Sequence, residues 1–189
     1  TALPMYVAGV GGILMGIYSF TLPDVPPQDV GKKMSFRDII GLDALRQLNS
    51  RPFVVFIIGL LLISIPFSIY FPYVPIFLKA AAISDPAFKM TFGQMSEVLF
   101  LLMMPWFFRK LGIKWVMVAG LLAWSLRYAL FAVGAPHAVV WMLITGILLH
   151  GACYDFVYVA SQVYIDKKAT PAIRAQAQGF FVLISYGVG

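Results

Sequence analysis

Blocks of about twenty apolar residues recur along this chain, and they constrain its fold more than any other feature. A helix needs roughly that many residues to cross the hydrocarbon core of a bilayer. Such blocks run at 3–22, 53–78, 90–108, 115–134 and 139–164, and a sixth starts near 177 and is cut at Gly189. Composition agrees: 61% of the residues are hydrophobic and only 12% charged, against about half and a quarter in a soluble domain. The expected fold class is all-α, a polytopic membrane helix bundle. The chain opens on Thr1 rather than Met and its last block stops short, so it reads as a piece of a longer protein. Segment 3–22 lacks a basic leading region and is too long for a signal peptide. The single cysteine, Cys153, falls inside a predicted helix and can form no intrachain disulfide.

A net charge of +6 would suit a nucleic-acid binder if the charge formed one patch. It alternates instead. Lys32, Lys33, Arg37, Arg46 and Arg51 fall between the first two blocks, Arg109, Lys110 and Lys114 between the third and fourth, and Lys167, Lys168 and Arg174 after the fifth. The remaining two connections hold only Lys79 and Lys89, at the edges of one of them. Positive charge gathers on the cytoplasmic side of membrane proteins. The loops 23–51, 109–114 and 165–176 are therefore expected in the cytoplasm, the bilayer is the large partner, and no nucleic acid is implied.

The stretch 23–51 is the longest connection and the best internal boundary. Its first part, "PDVPPQDVGKK", breaks helix. Its second regains helical period: Ser35 and Asp38 form a possible capping box, with Phe36, Ile39, Ile40 and Leu48 on an apolar face and Arg37 and Arg46 among the polar positions. That pattern predicts an amphipathic helix on the inner membrane surface. Gly12 and Gly16 in the first block have the small-xxx-small spacing that lets helices approach closely. Pro66, Pro72 and Pro75 in the second block each remove a backbone donor, which predicts a kink in its outer half, beside protein or a wet pathway.

Four ionisable residues lie within the later blocks: Glu97, Arg127, His150 and Asp155. Such groups face the bundle interior and mark solute or proton pathways. With a rise of about 1.5 Å per residue, Glu97 and Arg127 come to similar depth on consecutive helices and are expected to pair directly. Gln94 and Glu97 share a helix face, as do His150 and Tyr154. The first pair offers an amide and a carboxyl, the second an imidazole and an aromatic ring, a set suited to a flat, hydrogen-bonding solute. Asp155 lies one step round from Tyr154, toward the cytoplasm, within expected reach of Arg109, Lys110 or Arg174. It reads as a gate latch or a proton carrier. An acid–base enzyme built on His150 and Asp155 is disfavoured, because five residues set them apart around a helix. Neither a G-x-S-x-G elbow nor an H-E-x-x-H metal motif occurs.

The run "GQMSEVLFLLMMPWFFRKLGIKWVMVAGLLAWSLRYALFAVG", followed by "GILLHGACYDFVYVASQVYIDKKATPAIRAQAQGFF", resembles the nucleoside:proton symporter family of the major facilitator superfamily. Its specific pieces are the Gln94/Glu97 pair, the "LRYALFA" run around Arg127, "YDF" at 154–156 and "PAIRAQAQG" at 171–179. The resemblance implies two six-helix bundles with alternating access to a central site, and a chain that covers helices six to eleven of twelve. On that reading 1–22 is the last helix of the N-terminal bundle and 23–51 the cytoplasmic inter-bundle loop. Residues 52–189 are then the C-terminal bundle, truncated in its fifth helix, and the missing helices of the same transporter become partners. The family's binding position on helix eight maps to Gln94 and Glu97, its aromatic positions on helix ten to His150 and Tyr154, and its acidic residue there to Asp155. His150 stands where a nucleoside-transporting member has tyrosine. Where the family sets amide side chains on the kinked helix, the polar candidates are Ser68, Tyr70 and Tyr73, with Ser68 expected at the solute.

The expected function is proton-coupled symport of a small polar solute, a nucleoside foremost, in a bacterial inner membrane. Gln94, Glu97, His150, Tyr154 and Ser68 would bind the solute. Asp155, Glu97 and Arg127 would serve coupling or gating, with the proton as coupling ion and no cofactor. A facilitator or sensor of the same fold, without proton coupling, is the alternative.

Overall fold

A computed structural model describes residues 2–24 and 41–188, helical almost throughout and without a strand among the described residues. The capping pair Ser35/Asp38 and the apolar positions Phe36, Ile39 and Ile40 lie outside the described residues. The chain divides into two compact units, Thr1–Met34 and Ser35–Gly189. The first holds α1, Leu3–Ser19, with Pro4 in its first turn and no buried residue.

The second unit begins its described part with the short α2, Leu42–Leu48, whose Ala44 and Leu48 are buried. Then α3, Arg51–Ala80, runs as one helix of 30 residues with Pro66, Pro72 and Pro75 inside it. It is followed by α4, Pro86–Gly134, 49 residues in all. At about 1.5 Å per residue, α4 would measure about 74 Å if straight, more than twice the hydrocarbon thickness of about 30 Å. It is not straight. Gly112 has φ 74° and ψ 161°, outside helical geometry, and divides α4 into two arms. Glu97 and Arg127, fifteen residues before and after Gly112, both reach His150. Two positions equidistant from a crease meet the same side chain only if the arms fold back beside each other. The expected spans 90–108 and 115–134 are these two arms. The expected loop 109–114 contracts to the crease at Gly112.

The block at 139–164 departs from a plain helix in two places. After α5, Val140–Leu148, the axis bends by 41° at Leu149. Then α6, His150–Tyr154, passes into a π-helical turn, Asp155–Val159, before α7, Ala160–Lys168. The chain continues through α8, Arg174–Val182, and a second π-helical turn, Leu183–Val188. Among the described residues, two helices, α3 and α4, are long and apolar enough to cross a membrane, and the bent run from Val140 to Lys168 makes a third if counted as one span.

The interior is built largely from aromatic and branched side chains: Trp124, Leu143, Ile147, Tyr158, Ile165 and Phe181 are all at most 1% exposed. Beside the crease a second cluster joins Met104 and Val116 to Ala152, Phe156 and Ala160, so both arms close on the α6–α7 run. Large apolar residues such as Leu62, Leu102 and Leu122 point outward, as suits a surface solvated by lipid tails. Apolar burial gives little drive for helices to associate there, and close packing takes over.

Candidate functional site

The site is assembled where α6 crosses both arms of α4 and the middle of α3. The approach is closest at Gly151. A Cβ on it would lie 2.5 Å from the Ser96 carbonyl, so any larger residue would push α6 off the first arm. The bend at Leu149 lets the Gly151 N–H leave its own helix and donate to Ser96 Oγ at 3.0 Å. Ser96 Oγ in turn donates to the Gly93 carbonyl at 2.7 Å. On the second arm, Trp124 Nε1–H donates to the Cys153 carbonyl at 3.0 Å. These bonds fix α6 between the arms and set the heights of the residues on either side.

At that junction the buried His150 (2% exposed) has Arg127 Nη1 3.1 Å from its Nδ1 and Glu97 Oε2 3.6 Å from its Nε2. The expected direct pair of Glu97 with Arg127 is therefore corrected: the imidazole sits between them. The depth argument put them level, but depth does not reveal that α6 is wedged between the arms. Arg127 is entirely buried. Its guanidinium lies 3.5 Å above the Tyr70 ring, with Trp124 and Phe131 at 5.4 and 5.7 Å. Its Nε and Nη2 have no hydrogen-bond partner among the described residues. Ring faces take the place of a carboxylate, and a desolvated cation over an aromatic face is worth about 2 kcal/mol.

The rings themselves form a column. Tyr70 stacks on His150 (5.1 Å, 16°), His150 on Tyr154 (6.0 Å, 26°), Tyr154 on Tyr158 (5.2 Å, 25°) and Tyr158 on Tyr186 (5.9 Å, 28°). Tyr154 and Tyr186 also share a hydrogen bond between hydroxyls, 3.1 Å apart. Phe67 of α3 closes against the column, 4.7 Å from Tyr158 and 6.0 Å from Tyr154. His150, Tyr154 and Tyr158 recur every fourth residue. In an α-helix that spacing drifts by about 40° per step. The wider π turn at Asp155–Val159 turns less per residue and brings the rings back into line. A π turn inside an α-helix is found frequently at functional sites.

The remaining predicted residues fall as follows. Gln94 is exposed, one turn before the partly exposed Glu97 on the first arm. Ser68 is also exposed, and its hydroxyl donates back to the Ile65 carbonyl at 2.9 Å. It is thus not brought to the His150 cluster, because α3 turns Tyr70 inward there instead. Tyr73 is 62% exposed. Asp155 is 1% exposed, and neither carboxylate oxygen has a hydrogen-bond partner among the described residues. It does not meet Arg174, whose Nε lies 3.0 Å from Asp166, nor does it pair with Arg109 or Lys110 among the described residues. The π turn draws it into the interior instead of releasing it toward a basic loop.

Tyr158 is not among the residues that the sequence points to, and Tyr70 is there only as one of three polar candidates on the kinked helix. Tyr158 carried a visible signal, the third member of the every-fourth-residue series His150, Tyr154, Tyr158. Tyr70 carried a weaker one, as one of three polar residues in a proline-rich helix.

The model of the family described as Nucleoside H+ symporter matches residues 1–189, the whole chain. The putative nucleoside transporter YegT of Escherichia coli K12 is 37% identical over 191 residues, which cover 100% of this chain and 45% of that protein. The nucleoside permease NupG of the same organism is 30% identical over 199 residues, 99% of this chain and 47% of that protein. Two crystal structures of the nucleoside transporter NupG, one of them a mutant form, superpose with TM-scores of 0.67 and 0.74 at 29% identity. Each comparison covers all of this chain and 49% or 50% of the other. The chain thus spans about half the length of the relatives it matches. With the family's pattern running from end to end and the helices laid out as in a solved nucleoside transporter, the chain belongs to the nucleoside H+ symporter family.

Proposed function

We propose that this chain is part of an inner-membrane transporter that moves a nucleoside together with a proton by alternating access. The observation that carries the reading is the line Glu97–His150–Arg127, held at 3.6 and 3.1 Å inside an apolar bundle and flanked by a column of rings. Ionisable groups inside a membrane are costly and mark pathways, and this set offers donors, acceptors and a stacking face to one planar solute. The nucleoside names of the relatives support the choice of solute. Gln94 and Glu97 hold the polar edge, and Tyr154 faces the base.

Coupling needs a proton and a solute that each bind one conformational state better than the other. Glu97 and Asp155 are the carboxyls available for the proton. Burying an unpaired carboxylate is expensive, so the charge on Asp155 is tied to how tightly its surroundings close. Proton and gate then move together.

The test is uptake of labelled uridine by vesicles holding the full-length protein, in competition with nucleosides, free bases and sugars. Uptake should be suppressed by nucleosides and should collapse when the proton gradient is dissipated. Uptake that nucleosides do not suppress removes the nucleoside reading. Nucleoside uptake indifferent to the gradient leaves a facilitator of the same fold.

A further inference from the structure

Arginine keeps its proton and has only donors to offer, whereas a neutral imidazole has one donor and one acceptor nitrogen. Arg127 Nη1 lies 3.1 Å from His150 Nδ1, so Nδ1 is the acceptor and carries no hydrogen. The ring proton is then on Nε2, the nitrogen that faces Glu97 Oε2 at 3.6 Å. The groups facing this imidazole come from every element around it: Tyr70 from α3, Glu97 and Arg127 from the two arms of α4, and Tyr154 from its own helix. Tyr70 stacks on the imidazole and lies beneath the guanidinium, so one ring holds both partners in register.

We infer that Arg127 is a positioning residue that locks His150 in the Nε2–H tautomer, and that this lock sets which solute group is accepted beside Glu97. A solute atom seated there meets a donor, Nε2–H, and an acceptor, the Glu97 carboxylate. A hydroxyl, or an amide edge with adjacent N–H and C=O, satisfies both. A group that only accepts, such as a carboxylate or an ether, leaves Glu97 unanswered and repels it if charged. The choice of solute group rests on the cluster being the solute site; the tautomer does not.

The test is the ¹⁵N spectrum of histidine-labelled full-length protein in bilayers without solute, with the His150 signals assigned by their loss in His150→Gln. The expected spectrum has a bare Nδ1 and a protonated Nε2. Arg127→Leu should give mixed tautomers, and Arg127→Lys, which keeps a donor, should restore the single form. A protonated Nδ1 in the natural protein overturns the inference, as does a spectrum unchanged in Arg127→Leu. If Arg127→Leu does not fold, two substitutions at His150 decide. The glutamine amide in His150→Gln reaches the place of Nε2 and should keep solute Kd within about five-fold, while His150→Asn, which reaches only the place of Nδ1, should raise it about ten-fold or more, the loss of roughly one hydrogen bond. Equal effects from the two overturn the inference. Failure of the spectrum leaves the transport reading standing, and failure of nucleoside competition leaves the tautomer standing.

Discussion

Arg127 has no carboxylate within ion-pair distance among the described residues, and its charge is met by Tyr70, Trp124, Phe131 and one imidazole nitrogen. Energetic coupling should follow these contacts. In a double-mutant cycle on thermal stability, Arg127→Leu with His150→Gln should depart from additivity by about 0.5–3 kcal/mol, whereas Arg127→Leu with Glu97→Gln should stay nearer to additive. A larger departure for the second pair would restore the direct contact expected from depth. Asp155 makes a different test. Asp155→Asn keeps the shape and removes the titratable charge. It should leave solute binding within a few-fold, weaken gradient-driven accumulation and affect exchange less; lost binding with coupling intact would make Asp155 a ligand. That these residues were the ones to watch was legible in the sequence, because ionisable groups stand out in apolar blocks. Their partners were not, because partnership depends on how each helix is rotated about its axis and on which helix is wedged between which.

Two glycines decide whether the elements can take these positions. Gly112, at φ 74° and ψ 161°, occupies a region closed to residues with a Cβ except at a cost of about 1–3 kcal/mol. Gly151 leaves room for the first arm of α4 and nothing more, and overpacking of that kind costs about 1–3 kcal/mol. Gly59, by contrast, has open space around it within α3, where alanine is favoured over glycine by up to about 1 kcal/mol. Gly112→Ala and Gly151→Ala should therefore lower the melting temperature of the purified protein, and Gly59→Ala should hold or raise it. Gly151→Ala should also weaken solute binding, since it separates His150 from Glu97. The same melting temperature for all three would mean that neither crease nor close approach matters. The apolar blocks announced the arms, and the basic residues at 109–114 announced a turn. The π turn at Asp155–Val159 left no comparable mark, because its sequence, "DFVYV", is as compatible with an α-helix.

At the scale of the molecule, the all-α membrane fold was legible because block length and hydrocarbon thickness agree. Orientation rests on charge. Single cysteines replacing Lys110 or Lys167 should be labelled by an impermeant thiol reagent in inside-out vesicles and spared in intact cells. Ready labelling from outside would reverse the topology. The crease at Gly112 has one more consequence. It acts as the zero of a ruler, with Glu97 and Arg127 at the same graduation on either side. One residue inserted between 97 and 112 would shift Glu97 along its axis by about 1.5 Å and swing it through about 100°, away from an imidazole that Arg127 still holds. The number of residues between these two positions is thus as much a part of the site as the side chains themselves.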